Sequence, residues 1–68
     1  MNKRAARKVA LKMAIALIVK EIDSPTDLSV CNDIGELYPA ADRKRISEQL
    51  EIISDRLLAE FQRLARNG

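Results

Sequence analysis

The stretch "VALKMAIALIVKEI", Val9 to Ile22, decides the fold. It contains no glycine or proline, and from Met13 to Val19 it has no polar side chain. Alanine, leucine and lysine are good helix formers, so the run reads as the body of a long helix. At about 100° per residue, Leu11, Ile15, Ile18 and Ile22 share one side. Val9, Met13, Ala16 and Leu17 occupy much of the other. A helix that is apolar all round needs cover all round. The run is too short for a membrane span, which takes about 20 apolar residues, and Lys12 interrupts it.

The first helix is expected over about 4–23. "DSPTD" stops it, because proline disfavours helix in the residue before it. The same residues start a second helix, expected over 25–34, with Ser24 as cap and Pro25 at the first helical position. Leu28, Cys31 and Ile34 form its narrow apolar stripe, and Gly35 ends it. Leu37 and Tyr38 then fold back toward the core. A third helix is expected over 40–66. Ile46, Leu50, Ile53, Leu57, Phe61 and Leu64 recur at steps of three and four, which keeps one face apolar. Glu60 breaks the heptad reading of that stripe, and Ile52 lies on the opposite, charged face.

The expected fold is therefore all-α: three helices, long, short and long, in an antiparallel hairpin or bundle within one domain spanning 1–68. The third helix can cover one side of the first and the short helix part of another. No third covering element is evident in the sequence. Leaving several large aliphatic side chains in water forfeits roughly 1.5–3 kcal/mol each, against a total stability of about 5–15 kcal/mol for a domain. Completion by a second chain is expected, in the simplest case a symmetric dimer. Its interface is assigned to Ala10, Met13, Ala14, Leu17 and Ile18.

Composition supports this reading. A chain of 68 residues rarely holds a fold with much margin unless a disulfide, a metal or oligomerisation helps. Cys31 is the single cysteine and histidine is absent, so an internal disulfide and a single-chain zinc site lack ligands. The net charge of +2 hides a segregation. Residues 1–20 carry six bases and no acid, and residues 21–42 carry six acids and no base. Attraction between the basic start and the acidic middle, within the fold or across a dimer, is one consequence.

No enzyme is expected, and no catalytic residue or cofactor is assigned. There is no histidine to serve as a near-neutral base, and Cys31 has acidic neighbours that oppose its ionisation. The acids Asp23, Asp27, Asp33 and Glu36 do not match the calcium-loop spacing, and no metal site is assigned. The basic residues Lys3, Arg4, Arg7 and Lys8, with Arg43, Lys44 and Arg45, are candidates for contact with phosphates or with an acidic partner. A helix-turn-helix with Gly35 in the turn fits poorly, because Glu36 and Pro39 fall where apolar and helical residues are needed. "MNKRAARK" before an apolar run has the order of a secretory signal, but "KEIDSP" replaces the cleavage site.

One further stretch, "NDIGELYPAAD", Asn32 to Asp42, resembles the segment leading into the last helix of the Hha/YmoA proteins, small helical modulators that bind nucleoid-structuring proteins. Asn32, Tyr38, Ala40, Ala41 and Asp42 carry the resemblance, with conservative matches at Asp33, Ile34 and Leu37. It covers eleven of the 68 residues, and the first helix departs from that family's charge pattern. What it implies is at most a non-catalytic regulator that works through a protein partner.

The functional expectation is a non-enzymatic regulatory or adaptor protein that acts by helix-mediated self-association and by binding a protein partner. A cytoplasmic location and a bacterial, phage or plasmid origin are expected, with no integral membrane association. The alternative is a DNA-associated regulator that contacts phosphates through its basic clusters.

Overall fold

Asn2 opens the first helix. Its side chain accepts the Ala5 N–H at 2.8 Å, which satisfies one of the orphan donors of the first turn. In the computed structural model, which describes residues 1–67, α1 spans Lys3–Asp23 without a break. Ser24 ends it, donating its N–H to the Lys20 carbonyl at 2.9 Å. A single turn, α2, covers Asp27–Val30. The last helix, α3, covers Ala40–Arg66 and begins directly after Pro39. The chain is all-α, with long, short and long helices, and α1 packs against α3 as a hairpin.

α3 follows its sequence pattern. Ile46, Leu50, Leu57, Phe61 and Leu64 are half-buried on the side facing α1, and Ile52 is exposed. Ile53 lies at the edge of the stripe and is partly open to solvent. Asp42 in the first turn and Arg63 and Arg66 in the last complement the helix dipole.

The second helix is shorter than the expected 25–34, and its start shifts. Thr26 is the cap instead of Ser24, and its hydroxyl accepts the Leu28 N–H at 3.3 Å. The helix stops at Val30 because Asn32 offers the backbone another partner. Its side-chain oxygen accepts the Ile34 N–H at 3.1 Å and the Glu36 N–H at 2.9 Å, a local bond that competes with helix. The chain reverses over Asp33, Ile34 and Gly35, with Gly35 at φ +82°, a left-handed conformation that suits glycine. The Asn32 N–H then bonds the Glu36 carbonyl at 2.8 Å and the Tyr38 N–H bonds the Val30 carbonyl at 2.7 Å. Cys31 and Leu37 sit opposite each other in a one-bridge hairpin. The expected stripe of Leu28, Cys31 and Ile34 is not formed. Leu28 is 91% exposed and Ile34 79%, while Cys31 is half-buried. Of the two residues expected to fold back, Tyr38 is half-buried and Leu37 is exposed.

Among the described residues Leu11 is the one buried side chain, 4% exposed. The molecule is a rod of 44 × 19 × 16 Å with a radius of gyration of 14.7 Å. A compact domain of this length has a radius of about 11 Å. Its accessible surface is 5440 Å², whereas a compact monomer of 7.6 kDa exposes about 4,300 Å². The excess is about 1,100 Å².

Candidate protein interface

Successive sides of α1 meet different surroundings. Leu11, Ile15, Ile18 and Ile22 face α3 and are buried or half-buried. One step round the helix, Ala10, Leu11 and Ala14 line a shallow groove with Leu57. Toward the end of α1 the same side continues as an apolar groove between Leu17, Ile18, Leu28, Ile46 and Leu50. Toward its start, Lys3, Arg4 and Arg7 form a third hollow with Glu60 and Leu64. Lys3, Arg7, Ala10, Ala14, Leu17 and Glu21 are spaced four, three, four, three and four apart, so they form one row along the rod.

Met13 flanks this row and is 61% exposed, and Leu17 within it is 65% exposed. Of the residues assigned from sequence to an interface, Ala10, Met13 and Leu17 are open to solvent. Ala14 and Ile18 are half-buried against α3 while lining the groove. Leu28 extends the apolar surface onto α2, and the sequence reading did not anticipate this because it placed Leu28 inward.

The basic residues are not gathered into one patch. Arg4 donates to the Leu64 carbonyl at 2.8 Å, one of the last-turn carbonyls of α3 that lack a helical partner. Arg7 holds Glu60 through two hydrogen bonds, at 2.5 and 2.9 Å. That pair raises the Arg7 guanidinium above its ordinary value, first through the hydrogen bond and then through the charge of Glu60. It holds the Glu60 carboxyl below the usual range, first through the Arg7 hydrogen bond. Lys8 is half-buried. Arg43 donates to the Tyr38 carbonyl at 3.1 Å and so ties the loop to the start of α3. Lys3, Lys44 and Arg45 are exposed. Some twenty residues of α3 separate Arg43 from Leu64, so the two clusters lie roughly 30 Å apart at about 1.5 Å per residue.

The acidic corner has a structural centre in Glu21. Its carboxylate accepts from the Ser29 hydroxyl at 2.6 Å and from the Thr26 hydroxyl and N–H. These bonds fasten α2 to the end of α1. They lower the Glu21 carboxyl below its usual range, with the Ser29 bond as the largest cause, followed by the Thr26 N–H and hydroxyl.

The sequence signal of the Arg7–Glu60 pair is the break in the apolar heptad of α3 at Glu60, at the height where α1 carries Arg7. Among the described residues no three metal-ligating side chains come together, and no helix is long and apolar enough to cross a membrane. Compared with known proteins, the chain matches no family model, the Hha/YmoA resemblance included, no curated sequence and no solved structure.

Proposed function

We propose that this protein is a non-enzymatic regulatory or adaptor protein that works by self-association and by binding a protein partner through its helices. The observation that supports it is the contrast on α1 between one buried side chain, Leu11, and the open Met13 and Leu17. Exposed apolar surface of this extent on a small chain marks an interaction site. The absence of histidine from the sequence also favours binding over acid–base catalysis.

The test is sedimentation or light scattering of the purified chain at micromolar concentration. A dimer or larger assembly is the expected result, and a monomer that melts cooperatively would overturn the reading. The DNA-associated reading is weighed by titrating duplex DNA at low and moderate salt. Arg4, Arg7 and Arg43 are engaged within the chain, so weak or no binding is expected. Tight binding with a steep salt slope, lost in Lys44→Glu/Arg45→Glu, would put the DNA reading first.

A further inference from the structure

We infer that two copies pair through α1 in antiparallel orientation about a two-fold axis near Met13, with the basic first turns of each copy against the acidic corner of the other. The inference rests on the self-association proposed above and fixes which surfaces meet. Three observations carry it.

The first is area. The excess surface of about 1,100 Å² over a compact monomer is of the size that one partner contributes to a standard interface, about 800 Å². The outward side of α3 is less apolar, since Glu48, Glu51, Asp55, Arg56 and Arg63 stand there exposed and its Ile52 and Leu58 are less open than Met13 and Leu17 of α1.

The second is charge. Every charged residue of α1 before Glu21 is basic, while Asp23 and Asp27 stand exposed at its other end. Glu21 is taken up by Thr26 and Ser29, so Asp23 and Asp27 are the acids left to face a partner. α1 has no acid in its first turn, and Arg4 is held by the Leu64 carbonyl, so the exposed Lys3 is the base left at the positive end of the helix dipole, where bases are unfavourable. Antiparallel pairing places acids of the second copy beside it. Parallel pairing stacks it on its own copy.

The third is side-chain size. The open side of α1 runs from Ala6 and Ala10 through Met13 to Leu17, with Leu28 beyond it. Turning one copy end for end sets the small residues against the large ones. Parallel pairing sets alanine against alanine and leaves a gap between the rods.

Single cysteines in a Cys31→Ser background test the orientation. Met13→Cys is expected to oxidise readily to a disulfide dimer. Ala6→Cys is not, because its two copies lie about 20 Å apart at about 1.5 Å per residue, and a disulfide needs Cα atoms within about 7 Å. An equimolar mixture of Ala6→Cys and Lys20→Cys is expected to form the mixed disulfide. Oxidation of Ala6→Cys as fast as Met13→Cys overturns the inference, and so does a dimeric parent in which Met13→Cys fails to cross-link. In both cases the self-association stands. A monomeric parent in sedimentation overturns the self-association itself. A second measurement uses the unaltered chain and a zero-length carbodiimide. Lys3 cannot reach Asp23 in its own helix, about 30 Å away, so a cross-link from Lys3 to Asp23 or Asp27 in the dimer band is the expected result. A Lys3–Glu60 link alone in that band counts against the antiparallel pairing.

Discussion

On α3 most of the large apolar side chains keep to one stripe, with Ile52 and Leu58 exposed outside it, Asp42 sits in the first turn, and Arg63 and Arg66 sit in the last. On α1 they spread round the helix, and the bases Lys3 and Arg4 sit at the end where the dipole is positive. The two helices lie side by side, yet only α3 has a pattern that one neighbour satisfies. Its stripe meets α1, its charges suit its own dipole, and its outer face is mostly charged, with Ile52 as an exception. The side of α1 that bears Leu11 and Ile15 is satisfied in the same way, while the side bearing Met13 and Leu17 is not. A helix pair can thus be complete for one member and incomplete for the other. The open side of α1 is where the proposed second copy is placed.

The largest effect is expected at Leu17. Leu17→Asp places a charge on the open apolar side of α1, and burying an unpaired charge is costly. We expect the proposed assembly to dissociate or unfold, read as halved mass or lost helical circular dichroism, whereas Ile52→Asp on the outer face of α3 leaves both nearly unchanged, within about 0.5 kcal/mol. An unchanged mass and melting curve for Leu17→Asp would count against the different status of the two helices.

Next in size is Leu11→Ala, which addresses the side of α1 that α3 does cover. Truncating a buried leucine costs about 2–5 kcal/mol, so the denaturation midpoint should fall markedly. A change of only a few tenths of a kcal/mol would show that the contact between the helices is loose.

The smallest effect concerns the charges that tie the rod together. Glu21 and Glu60 both have folded-state pKa values below their ordinary range. A carboxyl lowered on folding contributes stability that is present in full above the unfolded value, about 4.3 for glutamate. That stability is lost as the pH falls through the folded value. Melting temperature should therefore be flat above about pH 5 and decline below about pH 4. Glu60→Gln should reduce the decline, and since the Arg7–Glu60 pair is exposed its share is small. A melting temperature that rises on acidification would contradict the role given to both carboxylates.

The two long helices were legible in the sequence because their causes are local. Unbroken helix formers fix α1, and Pro39 and a regular apolar step fix α3. The short helix was misplaced by two competing signals. Ser24 and Pro25 make an ordinary start, but Glu21 is positioned to hold the Thr26 N–H and hydroxyl, and the start moves to Thr26. The spacing includes Asn32 in the helix, whereas its side chain organises the turn that follows. The spacing places Gly35 at the end of the second helix, whereas that helix ends at Val30 and Gly35 turns the hairpin that follows. The open groove followed from the all-round apolarity of α1, whereas the engagement of Arg4, Arg7 and Arg43 did not. Those bonds depend on the register between helices distant in sequence, which no local pattern encodes.

The scarcity of enclosed side chains has a consequence for how long the molecule lasts. If two rods share one interior, as proposed, the folded fraction is set by how much of the protein is present, since a partner subunit stabilises by mass action. The melting temperature should climb with concentration, and one that stays constant over roughly a hundredfold range would refute the shared interior. In a cell such a chain would be durable when abundant and short-lived when scarce, because proteases draw on its unfolded fraction. Its own dosage would then act as the clock that decides when it disappears.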